Sequence, residues 1–291
     1  NACIKLRNII KEHQVNIIHS HLYWPTIVAR GANLNKVPHI FSVHTLMTHD
    51  AFGPNRLSKY LEKLTYSNCQ TALFVSGAAH ADYRSHISLS GKAVVLHNFV
   101  RDEYFAPAAR KVHFGDDDLR LIAVGNLRPQ KGHLFLIQCL QSLVGSRVSL
   151  DIYGEGHQRG ELEAYIRAND IENVRLMGSH PQPEAILKEY DVFVLATQYE
   201  GFCLAMAEAM AVGLPCIVPA IDALVEVSGN TQLYFPPNDI KGFLKRVLEL
   251  YQHEAQQQHY STLAIGQAVR YTKTAYIENL VRMYNEELKT K

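Results

Sequence analysis

The sequence has few of the features that would place it outside the ordinary globular enzymes. Its 291 residues include one tryptophan and five cysteines, and no two of these cysteines form a C-x-x-C pair. No apolar run approaches the roughly 18–20 residues that cross a membrane as a helix. Because dispersed cysteines in an odd number are typical of reduced thiols, we expect a cytoplasmic location.

Neither sign of charge dominates the chain. Lysine and arginine number 29 against 28 aspartates and glutamates, which leaves a net charge of +1 at pH 7. This balance argues against nucleic acid as the main partner. Apolar residues make up 47% and charged residues 20%, as in a folded globular protein. The length is sufficient for two domains.

Apolar segments of strand length alternate with segments of helix length along the chain, among them a predicted strand at 15–19 and a predicted helix at 77–86. This alternation favours an α/β fold with parallel sheets. It is interrupted by a polar segment at 103–118 and restarts with a predicted strand at 119–124. We therefore predict a first Rossmann-like domain over 1–102, a linker over 103–118, a second domain over 119–270 and a C-terminal helix over 271–291 that packs back on the first domain.

One strand–loop–helix stretch, 191–212, carries the most chemistry. An apolar strand leads into a loop with Glu200 and Gly201, and a helix is predicted from about Leu204, with Glu208 one turn along it. A helix that begins at the carboxyl end of a parallel strand directs free N–H groups at the crevice above the sheet, where phosphates bind. Gly201 permits close approach of a ligand. The two carboxylates suit the hydroxyl groups of a sugar or ribose.

A basic loop follows the first strand of the second domain. It runs from Gly125 to His133 and contains Arg128 and Lys131. Positive charge between glycines at the carboxyl end of a strand suits a diphosphate. The next predicted strand ends in a second glycine turn, which begins at Gly154.

These segments resemble the retaining family 4 glycosyltransferases, which have the GT-B fold. Glu200 and Glu208 have the spacing of the family's E-x7-E signature, followed by Gly-Leu-Pro at 213–215. The basic loop resembles V-G-R-L-x-P-x-K-G, and the turn at Gly154 resembles the family's G-x-G near the nucleotide base. His44 ends a segment similar to the family's V-H strand end. The resemblance implies two Rossmann-like domains facing a cleft, the first of them incomplete at its N-terminus.

The resemblance also implies roles for individual residues. Glu200, His44 and Lys131 would be catalytic. The residues expected to bind the donor are Gly125, Asn126, Arg128, Lys131, Gly154, Gly201, Phe202, Cys203, Leu204 and Glu208.

Two of these positions depart from the family pattern. Asn126 stands where the family usually has arginine, and Arg128, two residues on, offers a replacement charge. Cys203 stands where the family usually has glycine, which leaves the loop less permissive.

The resemblance implies a retaining hexosyltransferase that uses a nucleotide-diphosphate sugar without a metal cofactor. The acceptor would be a saccharide or lipid-linked saccharide, in polysaccharide or glycolipid synthesis. Two alternatives remain open: a nucleotide-sugar epimerase of the same fold, and a non-catalytic binding or partner subunit, which Asn126 and Cys203 favour. The donor base, the sugar and the acceptor are not evident from the sequence.

Two polar patterns in the sequence are weak candidates for metal sites. His19 and His21 lie on one face of a predicted strand, but no third ligand at suggestive spacing accompanies them, so ordinary hydrogen-bonding roles are favoured. The run at 116–118 has the composition of a D-x-D motif, yet its place in a polar linker favours a solvated turn. We therefore predict no metal site.

One helix has a basic face that suits a membrane surface. The predicted helix at 55–66 carries Arg56, Lys59 and Lys63. Such a face can contact anionic lipid on the inner side of a membrane, which would make the protein peripheral. An ordinary solvated face is the interpretation that the sequence favours.

Overall fold

The structure is a computed structural model and describes residues 1–34, 37–49, 56–88, 91–105 and 118–289. The chain divides into two units. The first comprises Asn1–Asn98, Glu200–Phe202 and Lys273–Lys291, and the second comprises Phe99–Tyr199 and Cys203–Thr272. Each unit is built on a parallel sheet, which confirms the predicted α/β class with two Rossmann-like domains.

The first unit contains a four-stranded sheet in the order β1-β2-β3-β4. Its two central strands are buried along almost their whole length, which is why they read as apolar runs in the sequence. The strands are β1 (Ile18–His21), β2 (His39–Val43), β3 (Gln70–Phe74) and β4 (Lys92–Val95). The helices are α1 (Ala2–Glu12), α2 (Tyr23–Asn33), α3 (Arg56–Thr65), α4 (Gly77–His86) and α12 (Lys273–Lys289).

The last helix of the chain is part of the first unit. Met283 of α12 is buried in a cluster with Ile40 and Leu73 of the sheet. The hydroxyl of Tyr284 lies 2.7 Å from Nδ1 of His19 on β1. Glu287 accepts a hydrogen bond of 2.8 Å from the hydroxyl of Thr71 on β3. Apolar and polar contacts thus fix α12 on the first sheet.

The second unit contains a six-stranded sheet in the order β10-β9-β8-β5-β6-β7. The strands are β5 (Leu119–Val124), β6 (Val148–Tyr153), β7 (Val174–Gly178), β8 (Val192–Val194), β9 (Cys216–Pro219) and β10 (Leu233–Phe235). The helices are α5 (His133–Gln141), α6 (Arg159–Ala168), α7 (Pro183–Leu187), α8 (Leu204–Ala211), α9 (Asp222–Val227), α10 (Ile240–Gln252) and α11 (Glu254–Ala268).

The strand order of this second sheet reverses beside β5. One neighbour of β5 is the next strand in the chain, β6, and the other is β8, three strands on. In open parallel sheets, ligands bind at the carboxyl ends of the strands where the order reverses. The loops after β5 and β8 are therefore the expected binding edge of the second unit.

The structure differs from the sequence predictions in several places. The strand expected at 15–19 is β1, Ile18–His21, because Gln14 adopts φ 49° and the residues after it still close α1. β10 was not predicted. The boundary between the units falls at Asn98, before the predicted linker, and its first residues form a 3-10 helix, Asp102–Phe105. Residues 106–117 of that linker lie outside the described residues, as does Asn55.

Among the residues described, no helix is both long and apolar enough to cross a bilayer.

Candidate functional site

The helix that was predicted to face the donor begins where expected. α8 starts at Leu204, which is exposed, and the preceding Cys203 is buried. Cys203 has φ 72° and ψ 75° and makes no side-chain capping hydrogen bond to the helix. Its backbone thus adopts the left-handed conformation for which glycine is preferred, and the departure from the family pattern is accommodated at a cost in strain. The first-turn N–H groups receive no capping bond from this side chain.

The glycine turns after β5 and β6 touch each other. A Cβ atom added to Gly154, where φ is 148°, would lie 2.0 Å from the carbonyl oxygen of Gly125. A Cβ atom on Gly156 would lie 2.4 Å from the carbonyl oxygen of Leu127. The Gly125 N–H donates a 2.9 Å hydrogen bond to the Tyr153 carbonyl. Only glycine fits this double contact, which keeps two backbone loops together at the binding edge.

Lys131 lies in this crevice because its loop is fixed at both sides. The Lys131 side chain runs past Gly125, where an added Cβ would be 3.6 Å from Lys131 Cδ. Gly132, with φ 68°, packs so closely that a Cβ there would meet the Ala196 carbonyl oxygen at 2.1 Å. The Gln130 carbonyl also accepts a 2.8 Å hydrogen bond from the Gln198 N–H. The loop that carries Lys131 is thus fastened to the segment that leads to Glu200.

The other two predicted polar residues of the loop are exposed. Asn126 and Arg128 both present their side chains to solvent. Arg128 precedes the 3-10 helix Pro129–Lys131 and has extended backbone angles. Arg128 is thus accessible to solvent, and its replacement of a family arginine stays a prediction.

His133, which sequence reasoning did not single out, supports the loop from below. Its side chain is fully buried at the start of α5, and its Nε2 donates a 3.2 Å hydrogen bond to the Asn126 carbonyl. Burial lowers the pKa of His133 to about 4, and the nearby Lys131 charge acts in the same direction. The imidazole is therefore neutral at pH 7 and adds no charge to the crevice.

A cavity of about 210 Å³ opens beside these glycines. It lies at the carboxyl ends of β5, β6 and β7, and its size suits a planar heterocycle. Three of the predicted donor residues line it, but its far wall was not predicted. The lining residues are Ile122, Val124, Gly125, Asn126, Tyr153, Gly154, Gly178, Ser179, His180, Pro183 and Ile186.

One wall of the cavity is stiffened by a chain of hydrogen bonds. The Tyr153 hydroxyl lies 3.2 Å from that of Tyr190, which donates a 2.6 Å hydrogen bond to Asp151. Arg175 donates two hydrogen bonds of 2.7 Å to the same carboxylate. Burial raises the pKa of Tyr190 well above its ordinary value, so its hydroxyl stays protonated. The Tyr153 ring is thus held in place, edge-on to His180.

Glu208 is half-buried and already has a partner in the second unit. A hydrogen bond joins its carboxylate to the buried Tyr104 hydroxyl, and Arg101 lies close to both. Burial raises the pKa of Glu208, while the bond from Tyr104 and the Arg101 charge oppose that rise. Arg101 in turn forms an ion pair of 3.1 Å with Glu184. One carboxylate oxygen is thus oriented by Tyr104, and the pair of oxygens leaves acceptor capacity for a ligand hydroxyl.

The other glutamate of the signature belongs to the first unit. Glu200, Gly201 and Phe202 pack with that unit, and all three are buried. A Cβ on Gly201 would lie 2.4 Å from the His44 carbonyl oxygen, and the Ser76 hydroxyl donates a 2.5 Å hydrogen bond to the Gly201 carbonyl. Gly201 is therefore required for contact with the protein's own backbone, as well as for the predicted approach to a ligand.

His44 follows β2 and is hydrogen-bonded to a second histidine. Its Nε2 lies 2.9 Å from Nδ1 of His21, which is the last residue of the neighbouring strand β1. Burial lowers the pKa of His44, and the proximity of His21 lowers it further. His19 forms hydrogen bonds of 2.7 Å to Ser42 and to Tyr284, and its pKa is lowered to about 4 mainly by burial. Three histidines, His19, His21 and His44, are thus brought together at this edge, and burial disfavours the charged forms of His19 and His44.

These histidines form hydrogen bonds with one another and with neighbouring side chains. The predicted absence of a metal site stays a prediction. Within the described ranges, no three histidine, cysteine, aspartate or glutamate side chains are grouped so that they could hold a metal ion. The rings of His19 and His21 are tilted by 32° relative to one another, with 4.3 Å between their centroids.

A small apolar cavity adjoins His44 in the first unit. Its volume is about 60 Å³, and it lies at the carboxyl edge of β2. The lining residues are Leu22, Tyr23, Thr26, Phe41, Ser42, Val43, His44, Thr45, Met47, Glu62 and Tyr83.

The predicted site residues thus fall into two sets. The second unit holds Gly125, Asn126, Arg128, Lys131, Gly154, Cys203, Leu204 and Glu208. The first unit holds His44, Glu200, Gly201 and Phe202. Sequence reasoning missed Tyr104, His133 and the cavity wall at 178–180. For the cavity wall, the available signal in the sequence was Gly178 at the end of a strand.

Family comparisons place both halves of the chain among glycosyltransferases. A profile described as "Glycosyltransferase Family 4" matches residues 2–104. A profile described as "Glycosyl transferases group 1" matches residues 118–253. Every predicted site residue lies within one of these two matches.

Two curated relatives extend over most of the chain. An uncharacterised glycosyltransferase of Methanocaldococcus jannaschii is 24% identical over 85% of this chain and 69% of its own length. The UDP-Gal:alpha-D-GlcNAc-diphosphoundecaprenol alpha-1,3-galactosyltransferase of Escherichia coli is 30% identical over 84% of this chain and 65% of its own length. The chain therefore spans about two thirds of these relatives.

Solved structures show the same fold. Anabaena HepE, solved in complex with UDP, is similar with a TM-score of 0.85 at 15% identity, over 98% of this chain and 82% of that one. Similar GT-B enzymes include sucrose-phosphate synthase from Thermosynechococcus elongatus, with a TM-score of 0.85 at 16% identity, over 99% of this chain and 78% of that one. The two profile matches, the relatives and this shared architecture together establish that the chain belongs to the family 4 glycosyltransferases, with the GT-B fold.

Proposed function

We propose that the protein transfers a hexosyl group from a nucleotide-diphosphate sugar to a saccharide or lipid-linked saccharide, with retention at the anomeric carbon. The observation that carries this proposal is the glycine-lined crevice at the point where the second sheet reverses its strand order. Lys131, the start of α8 and a cavity of about 210 Å³ lie around that crevice. These are the features that a base, a diphosphate and a leaving charge require.

The second unit would hold the donor. The nucleoside base would occupy the cavity between Gly125 and His180, and Glu208 would accept hydrogen bonds from the ribose hydroxyls. Lys131, Arg128 and the first-turn N–H groups of α8 would contact the diphosphate. Each preorganised donor of this kind stabilises developing negative charge by about 3–4 kcal/mol. Metal ions are not needed in this account, because these groups supply the positive potential.

The chemical step would be a front-face substitution. The acceptor oxygen forms a bond to the anomeric carbon while the bond from that carbon to the phosphate oxygen breaks. The acceptor proton passes to the departing phosphate oxygen, so charge and atoms balance. Glu200 would hold sugar hydroxyls and orient the ring, and His44 would hold the sugar or phosphate by a hydrogen bond from its neutral imidazole.

The acceptor class follows from the relatives' printed activities. The Escherichia coli relative acts on a diphosphoundecaprenol-linked sugar. A relative from Saccharomyces cerevisiae, 25% identical over 77% of this chain, is a phosphatidylinositol N-acetylglucosaminyltransferase subunit. Both names describe lipid-linked acceptors, which supports a lipid-linked saccharide for this protein and a peripheral position at the inner face of a membrane.

The test is nucleotide binding followed by transfer. Calorimetry with UDP, GDP and ADP should show binding of one of them, because the cavity and the basic loop lie within one unit. Incubation with the matching nucleotide sugars should then release the nucleotide, and NMR of the product should show the donor's anomeric configuration. Binding without turnover would favour the partner-subunit alternative. Release of an epimerised nucleotide sugar without an acceptor would favour the epimerase. No binding by folded protein would refute the donor site.

A further inference from the structure

The helix α3 is packed with its polar side inward. Its buried residues are Ser58 and Glu62, and no apolar side chain of α3, all of whose residues are described, is buried. Glu62 forms an ion pair of 2.8 Å with the buried Arg30 of α2 and accepts a hydrogen bond from the Tyr83 hydroxyl. The Ser58 carbonyl accepts a 2.8 Å hydrogen bond from Tyr23. Polar contacts therefore decide which side of α3 faces the protein.

The outward side of α3 carries large apolar residues. Leu57, Tyr60 and Leu64 are 60%, 62% and 65% exposed. Their spacing of three and four residues places them on one face of the helix. Surface helices of globular proteins normally bury such a face. The orientation of α3 is thus the reverse of the usual one, and its exposed apolar strip calls for a partner.

A basic strip runs beside this apolar strip. Arg56, Lys59 and Lys63 each precede one of the positions 57, 60 and 64, and so lie on the adjoining part of the same outward side. The acidic residue of the helix, Glu62, faces inward and is neutralised by Arg30. The outward side therefore combines apolar residues with positive charge.

An exposed aromatic residue contacts the side chain that bonds to α3. Trp24, the single tryptophan of the chain, is 45% exposed. Its ring contacts Tyr23 edge to face, and Tyr23 is the residue that bonds to α3. Tryptophan favours the boundary between water and lipid, because its ring is apolar and its N–H is polar.

We propose that the outward side of α3, together with Trp24, docks the protein on an anionic lipid surface. The helix would lie in the plane of the interface, with Leu57, Tyr60 and Leu64 among the acyl chains and the basic strip among the lipid phosphates. The inference deepens the proposed function, because the purpose of docking rests on a lipid-linked acceptor, but the surface itself is defined by α3 and Trp24.

A lipid surface fits better than a second copy of the chain. Two copies that paired through this surface would bring Arg56, Lys59 and Lys63 of each near the same charges of the other, which is unfavourable. The apolar side chains also project from a convex helix, and a fluid bilayer accepts such side chains without a preformed pocket. Negative lipid headgroups complement the basic strip directly.

Vesicle binding of the whole chain tests the proposal. We expect the protein to sediment with vesicles of phosphatidylcholine and phosphatidylglycerol in equal parts, and much less with phosphatidylcholine alone. Because Trp24 is the single tryptophan, its fluorescence emission should shift to the blue when the mixed vesicles are added. The variant Leu57→Ser/Tyr60→Ser/Leu64→Ser should lose sedimentation and the shift.

The basic strip has its own variant. Lys59→Gln/Lys63→Gln should weaken binding to the mixed vesicles by about 25-fold, since each basic residue near an anionic surface contributes about a fivefold effect. The matched charge control is Lys241→Gln/Lys245→Gln on α10, where both lysines are exposed. This control should bind as the unchanged protein does.

The apolar variant has a matched control on another exposed helix. Ile277 and Val281 of α12 are 44% and 47% exposed, and Ile277→Ser/Val281→Ser should bind vesicles normally. Failure of the unchanged protein to bind mixed vesicles, or normal binding by the α3 triple-serine variant, overturns the proposal. A dimer that the same variant dissolves would assign the surface to a second copy instead. Calorimetry with UDP, GDP and ADP on these variants separates the docking proposal from the proposed donor site. Vesicle binding without nucleotide binding would refute only the donor site, and nucleotide binding without vesicle binding would refute only the docking surface.

Discussion

A methyl group at Gly154 should damage the donor crevice without touching any predicted catalytic side chain. In Gly154→Ala, the added Cβ would lie 2.0 Å from the Gly125 carbonyl oxygen, where a separation of at least 3.0 Å is needed. The two turns must therefore move apart by about 1 Å. The Gly125 N–H bond to Tyr153 joins these turns, and the Gly154 N–H bond to Gly178 joins the second turn to the end of β7; both are 2.9 Å and would be strained by that movement.

The expected magnitude has two parts. A non-glycine residue at positive φ costs about 1–2 kcal/mol, and each weakened backbone hydrogen bond costs about 1 kcal/mol. We expect Gly154→Ala to lower the free energy of unfolding by about 2–4 kcal/mol. A displacement of about 1 Å at a positioning group costs up to about 100-fold, so nucleotide affinity should fall by about 10- to 100-fold.

Gly145→Ala is the matched control. Gly145 also has positive φ, 81°, but an added Cβ there meets nothing within 4 Å. It lies in the exposed turn between α5 and β6. This control should lose about 1–2 kcal/mol of stability and keep its nucleotide affinity.

The assay is urea denaturation combined with calorimetric titration of UDP, GDP and ADP. If Gly154→Ala does not fold, His180→Ala removes part of the cavity wall without a backbone clash and should weaken binding by itself. Nucleotide affinity that is unchanged in folded Gly154→Ala or in His180→Ala would show that the nucleotide does not occupy this crevice.

Four further predictions address the chemistry and the stability of the site. Glu200→Gln should lower kcat more than it raises the donor KM, because the Glu200 contact orients the reacting sugar. Glu208→Ala should mainly raise the donor KM, since ribose contacts are made equally in ground and transition states. Indistinguishable kinetic profiles of the two variants would contradict these roles. Activity should persist in excess chelator, because Lys131 and the start of α8 supply the positive potential; a complete and reversible loss would show that a metal ion is required. The pKa of the buried His133 is about 4, below the ordinary 6.5 of the unfolded chain. Its contribution to the free energy of unfolding is therefore present above pH 6.5 and is lost as the pH falls towards 4. Between pH 7 and pH 4.5, the unchanged protein should lose about 2 kcal/mol more of its free energy of unfolding than His133→Gln does, as measured by urea denaturation. An equal loss in the two proteins would count against a buried neutral imidazole at this position. Cys203→Gly should change the free energy of unfolding by less than about 1 kcal/mol, because relief of the positive-φ strain is offset by greater freedom of the unfolded chain. A loss of several kcal/mol in urea denaturation would mean that packing of the buried thiol stabilises the protein by more than the backbone strain costs.

The elements that sequence reasoning located best are those whose ends are set by local chemistry. The predicted bounds of β5 and α4 agree with the structure. β5 is mostly buried in a parallel sheet and so reads as an apolar run that only Arg120 interrupts. α4 begins after Ser76, whose hydroxyl accepts a 3.0 Å hydrogen bond from the Ala79 N–H, which is the bond that an N-cap serine is expected to make.

The contacts that sequence reasoning missed join residues far apart in the chain. Tyr104 fell in a predicted linker, yet it is buried and bonded to Glu208 on α8. The wall of the cavity at Gly178 and His180 comes from the end of a third strand, where the strand-end glycine is the one local signal and nothing nearby in the sequence marks His180. Such residues are identified by tertiary proximity alone.

The orientation of α3 shows a second limit of local patterns. Its periodicity predicts an amphipathic helix, but the inward side is chosen by Arg30, which lies thirty-two residues before its partner Glu62. Sequence reasoning found the basic face and could not find that the apolar face is also exposed. The charge pattern was visible, whereas the partner that reversed the helix was not.

The backbone at Cys203 bears on how relatives of this protein are searched for. With φ 72° and ψ 75°, this residue has the conformation for which glycine is preferred, yet it carries a side chain. The requirement at the start of α8 is therefore a pair of dihedral angles, which glycine meets most easily but does not define. A search pattern that insists on glycine at this place would discard this chain. A pattern written in backbone angles would retain it, together with any other chain that reaches the same turn with a different residue.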